Sequence, residues 1–159
     1  MAHYEQHAMS GRLTIELRDL HGQLIHRLQH PNLITNAGKT LVAQLFTGET
    51  AGKPELLIAV GDGEEAAKTT DIKLGRSRAE SSVSVSAIKT ATFDGVQRAV
   101  ADITASFPAL PTGQTQVLCE AGIIIRFPNL EPVLYNHVNF AAITRTDNLQ
   151  MTLTWEILF

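Results

Sequence analysis

The chain has 159 residues, 44% of them hydrophobic and 18% charged, and a formal net charge of -3. That length suits one domain, and that apolar share excludes wholesale disorder. A single cysteine excludes an intramolecular disulfide framework, no apolar run approaches the roughly 20 residues that cross a bilayer, and the lack of Lys/Arg clusters argues against binding nucleic acid through its phosphates.

Residues 1–11 are polar and lack the apolar segment of a secretory signal peptide. They are expected to form a flexible N-terminal arm, with 12–159 as a single domain made in a reducing cytosol. In 12–18, Leu13, Ile15 and Leu17 alternate with Thr14, Glu16 and Arg18, the pattern of a half-buried strand. His21-Gly22 suits a hairpin turn, and 24–29 returns as a second strand that Pro31 ends. Thr35 or Asn36 can cap a short helix over about 36–46, with Leu41, Val42, Leu45 and Phe46 on one face and Gly48 as the stop.

Residues 55–60 read as a buried strand, followed by the tight turn Gly61-Asp62-Gly63. From 61 to 80 the chain is polar and aperiodic, and a long surface loop is expected there. Runs 81–93 and 96–107 flank Asp94-Gly95, a strong hairpin signal. Residues 116–127 and 132–142 read as further strands, with Gly122 marking a bulge or a close backbone approach. The last segment is the clearest: Leu149, Met151, Leu153, Trp155, Ile157 and Phe159 alternate with polar residues, so a long strand should anchor the core. The sum is a mainly β protein, an antiparallel β-sandwich of about eight strands with one short α-helix.

The chemistry of the residues points away from catalysis and cofactors. Gly61-Asp62-Gly63 lacks the Lys-Ser/Thr ending of a phosphate loop, and no nucleophile elbow is present. Asp62, Glu64, Glu65 and Asp71 could gather around a calcium ion, but a solvated acidic loop is the preferred reading. On one strand His26 and His30 lie roughly 13 Å apart, too far to share a metal. Glu120 stands out as a carboxylate in an apolar strand. It could act as an acid with a raised pKa. The preferred reading is a structural lock that accepts backbone or arginine hydrogen bonds. Cys119 reads as a small buried hydrophobe, and His137 as a satisfied structural or interface histidine.

Several segments, in order, carry a resemblance. They are Asn32-Leu-Ile-Thr-Asn-Ala-Gly38, then Ile58-Ala-Val-Gly-Asp-Gly63 before Thr70-Asp71 and Leu74-Gly75, then Glu120-Ala-Gly-Ile123, and finally Ile143-Thr-Arg-Thr-Asp147 with Leu149 to Phe159. This set resembles small bacteriophage structural proteins of the tail, baseplate and tail fibre. That family often carries a Glu and an Arg soon after the Leu-Gly pair, where this chain has Arg76-Ser77-Arg78.

The resemblance implies a non-enzymatic virion protein of the tail, baseplate, neck or fibre attachment, made in the host bacterial cytoplasm. It would act without cofactor or metal through contacts with other virion proteins and with its own copies, not with nucleic acid or membrane. Tyr4, Asp62, Glu64, Glu65, Asp71, Arg76, Arg78, Tyr135 and His137 are the candidate interface residues. The arm 1–11 and the loop 61–80 are expected to order on assembly. Two alternatives are a capsid decoration protein and a receptor- or glycan-binding module at a fibre tip. The latter would need Tyr135, His137 and Asn139 exposed together.

Overall fold

A computed structural model describes residues 8–50 and 52–159, with the backbone alone at Val85. Tyr4 and most of the expected arm lie outside the described residues, and Ser10 and Gly11 already belong to the first strand. The chain builds two antiparallel sheets that face each other across one apolar core.

The first sheet follows directly from sequence alternation. Ser10–Asp19 (β1) and Leu24–Pro31 (β2) form a hairpin. Its turn is closed by Asp19, whose carboxylate accepts from the backbone N–H of His21 and of Gln23, each at 2.9 Å. Val85–Phe93 (β6) and Val96–Phe107 (β7) form the second hairpin, with Asp94 and Gly95 both left-handed at φ 48 and 79. That geometry matches the twist of the strands it joins. Leu149–Leu158 (β11) lies between the hairpins, paired with β1 on one side and β7 on the other. The order is β2-β1-β11-β7-β6. Met151, Leu153, Trp155 and Ile157 are buried, each gaining roughly 1.5–3 kcal/mol from leaving water. Phe159 departs from the expected pattern: it follows the strand and is 45% exposed.

The second sheet holds Leu33–Ile34 (β3), Glu55–Gly61 (β4), Ser77–Ser82 (β5), Thr115–Arg126 (β8), Val133–Leu134 (β9) and Asn136–Thr146 (β10). Its order is β3-β10-β8-β4-β5, with β9 paired to β8. The chain moves between sheets at Val83 and Ser84. Val83 N–H donates to Leu56 O at 2.9 Å on one sheet, and Ser84 N–H to Thr104 O at 2.8 Å on the other. The single strand expected over 81–93 is therefore two. The stretch 132–142 is also interrupted, at Tyr135, whose N–H bonds Ile123 O at 2.8 Å and whose C=O accepts from Thr35 N–H at 3.0 Å.

Asn36–Thr47 (α1) matches the expected helix. Thr35 caps it, accepting from Gly38 N–H at 2.9 Å while donating to Leu134 O at 2.5 Å. Leu41 is buried in the core and Val42 packs against it, but Leu45 and Phe46 are exposed, Phe46 by 94%. The helix docks by its first half only, because Gly38 lies against the Tyr135 backbone. Arg145, 2% exposed, bonds Pro108 O and Gln116 Oε1, and Asp147 accepts from Gly113 N–H at 2.8 Å. These contacts tie the 108–114 connector to β10.

Between β8 and β10 the register shifts across Asn139 to Ile143. Ala121, Ile123 and Ile125 face the core. Alternation then turns Glu120, Gly122 and Ile124 to the outer face of the second sheet. Val138 and Phe140 face inward, so His137 and Asn139 also point outward. That outer face carries a connected network of polar side chains.

Candidate functional site

Residues 62–76 run across this outer face as a strap. Leu74 is its apolar anchor, buried with Ala59 and Leu134 in a small cluster separate from the main core. Glu120, fully buried, is its polar anchor. Glu120 Oε1 accepts from Gly63 N–H at 2.8 Å and Arg76 N–H at 2.7 Å, and Oε2 accepts from Gly75 N–H at 2.9 Å. His137 Nε2 sits 2.8 Å from the same Oε2, and its Nδ1 sits 2.7 Å from Asp71 Oδ2. Asp71 Oδ2 also accepts from Lys68 N–H at 2.7 Å. Asn139 holds the strap from both sides: its carbonyl accepts from Ala67 N–H at 2.6 Å and its amide donates to Glu65 O at 3.0 Å.

The glycines make this packing possible. A Cβ on Gly63 would lie 2.5 Å from Glu120 Oε1, and one on Gly61 would strike both Arg76 O and that same carboxylate. No side chain fits where two backbone segments close on a buried carboxylate. Close approach, rather than turn geometry, is therefore the reason for Gly61-Asp62-Gly63.

Electrostatics follow the geometry. Burial raises the Glu120 carboxyl, but the N–H groups of Arg76, Gly75 and Gly63 and the His137 ring outweigh it, so its pKa lies below the ordinary value. Asp71 behaves alike: burial raises it, the Lys68 N–H and His137 lower it further, and the net shift is downward. Asp62 is held at about 2 by its bonds to Arg78 and Arg76, whose Nε atoms lie 2.9 and 2.6 Å from Oδ1. The basic run Arg76-Ser77-Arg78 thus finds its acidic partner in Asp62.

The expectation that 61–80 forms a loop ordered only on assembly is corrected. Residues 77–82 are β5, and 62–76 are held within the chain by two carboxylates, a histidine, an asparagine and a leucine. Of the candidate interface residues, Asp62, Asp71, Arg76 and His137 belong to one network, joined by Arg78 through Asp62. Glu64 and Glu65 stay exposed on the strap. Tyr135 and His137 are each only 3% exposed, so the exposed platform with Asn139 does not exist. Tyr135 fits its backbone against Gly38 and its hydroxyl against Met9 Sδ at 3.7 Å, and burial lifts its phenol to about 12.

Glu120 is the lock that its apolar strand suggested, and Cys119 is half-buried beside it, donating to Gly63 O at 3.2 Å. Burial and the Glu120 charge raise the Cys119 thiol, which keeps it protonated. His137 has both ring nitrogens occupied by carboxylates, leaving neither free to take a proton from a nucleophile. Among the described residues, no three His, Cys, Asp or Glu side chains gather as a metal site. A cleft of about 620 Å³ opens beside the strap, bordered by Asp62, Glu64, Asp71, Lys73, Arg76 and His137.

Three partners of Glu120 escaped the sequence reading: the backbone N–H groups of Gly63, Gly75 and Arg76, 57, 45 and 44 residues away. The one available signal was the density of glycine around the acidic turn. Comparison with protein-family models, with curated proteins and with solved structures finds no match.

Proposed function

We propose that this chain is a bacteriophage virion structural protein, a non-enzymatic assembly component of the tail, baseplate, neck or fibre attachment. It acts through contacts with its own copies and with other virion proteins. The ordered segments that resemble such proteins motivate the reading. The observation that carries it is the outer rim of the five-stranded sheet. Among the described residues, β2 and β6 end that sheet, and each presents an unpaired strand edge. All of β2 except Leu28 is exposed, including Leu24 and Ile25, and on β6 Ile88 is 85% exposed. Unpaired edges with exposed apolar side chains are the surfaces through which β-rich subunits add to one another. The site on the opposite sheet fits the same reading, since its polar groups are consumed in holding the chain together.

The test is mass spectrometry and antibody labelling of purified particles from a phage that encodes the chain. The expected result is the chain at fixed stoichiometry, with label on the tail or its attachments. Label on the head would move the assignment to a decoration protein. Absence from particles, with the chain abundant in the same lysate, would overturn the reading.

A further inference from the structure

We propose that Glu120, His137 and Asp71 form a proton-controlled latch on the 62–76 strap, closed while the His137 ring carries two protons and both carboxylates are ionised. The inference is independent of where the chain sits in a particle. It rests on donors and acceptors. An ionised carboxylate only accepts, and a neutral imidazole donates from one nitrogen alone. Yet both His137 nitrogens lie within 2.8 Å of carboxylate oxygens. Only the imidazolium donates in both directions. Loss of one proton sets a nitrogen lone pair against a carboxylate oxygen, in a residue 3% exposed where little water can step in.

The surroundings confine this response to the strap. His137 stands on β10, Glu120 on β8 and Asp71 on the strap, so the imidazolium joins three segments. The other charged groups nearby are already engaged or lie farther out. Asp62 is neutralised by Arg76 and Arg78, Lys68 offers its backbone N–H to Asp71, and Glu64, Glu65 and Lys73 are exposed at the cleft. Beside Glu120, Cys119 remains a neutral thiol. From α1 the contact with the strap is uncharged, Asn36 N–H on Thr69 O at 2.8 Å. The cleft reaches the imidazole, which gives protons a route.

Unlatching has a structural consequence. The 620 Å³ cleft and a second of about 390 Å³ lie on either side of Ile72–Gly75, and both are lined by those residues. Loosening the strap frees the wall that the two clefts share. Asn139 and Leu74 are indifferent to pH, so unlatching loosens the strap and leaves the sandwich intact.

Two measurements on the full chain test this. Long-range proton–nitrogen NMR reads the His137 ring across a pH titration, and hydrogen exchange, corrected for its intrinsic pH dependence, reads the strap amides. The expected result is an imidazolium protonated at both nitrogens at the acidic end. As that proton leaves, the amides of Gly63, Lys68, Gly75 and Arg76 should open about tenfold more often, the scale of one charge-assisted bond. Amides of β1 and β11 should not change. His137→Gln and Asp71→Asn should each remove the step, and either is usable if the other fails to fold. A ring already neutral throughout, or strap exchange that ignores the titration in the unaltered chain, would overturn the latch. So would a step that persists in a folded His137→Gln chain.

Discussion

A carboxylate with no contact to solvent is stable only where its lone pairs are occupied, and Glu120 receives three backbone N–H groups and one imidazole. Glu120→Gln preserves shape and removes charge. It also sets an amide NH₂ against the two donors that now point at one of the carboxylate oxygens. The expected loss is about 1–3 kcal/mol, read as a lower urea midpoint at constant slope. A shift below about 0.5 kcal/mol would reduce Glu120 to an ordinary surface substitution. The sequence made this residue conspicuous, a lone acid in QVLCEAGIIIRF, and its role as a lock was readable. His137 was legible only as a satisfied histidine and Asp71 only as part of an acidic loop. Their meeting depends on the strap folding back over β8 and β10, which no local pattern encodes.

At the scale of elements, β11 is the central strand of the first sheet, and its inward side chains include Trp155 and Leu153, both fully buried. A chain ending at Thr152 loses the partner of both β1 and β7 along most of its length. It is expected to lose cooperative unfolding by circular dichroism, and retention of the full-length thermal midpoint would contradict the role given to β11. Trp155→Ala alone should cost about 3–5 kcal/mol. Strands of this kind were readable because period-two alternation is written in adjacent residues, and the hairpin at Asp94-Gly95 because a left-handed pair needs such residues. Three features were not: β3 and β9, two residues each, too short to show a period, and the division of 81–93 at Val83–Ser84. Leu45 and Phe46 also share the apolar stripe of α1, yet the helix lies too far along for them to reach the core.

For the whole molecule, the lowered carboxyls of Glu120, Asp71 and Asp62 set the acid limb of stability. A folded-state pKa below the unfolded value means that the unfolded chain binds protons first as pH falls. Stability is therefore complete above the ordinary carboxyl range and drains away below about 4, continuing toward the value of about 2 held by Asp62. Urea midpoints should fall steadily from pH 5 to pH 3, by less in Glu120→Gln than in the unaltered chain. A flat profile would show that these carboxyls are no better stabilised folded than unfolded.

By itself the sequence determined that the chain is mainly β, that a short helix follows a cap at Thr35 or Asn36, that its last strand is a core strand, and that Glu120 is a lone acid in an apolar run. Each of these rests on interactions between residues a few positions apart, or on the cost of placing one charge in an apolar run. Only the tertiary structure decided that the polar stretch after Gly61 is a strap, that Tyr135 and His137 lie beneath the surface, and that Gly63, Gly75 and Arg76 close on one carboxylate. Burial and hydrogen-bond partnership depend on what packs against a segment, and here the strap's side-chain partners on the strands lie 44 to 74 residues away along the chain.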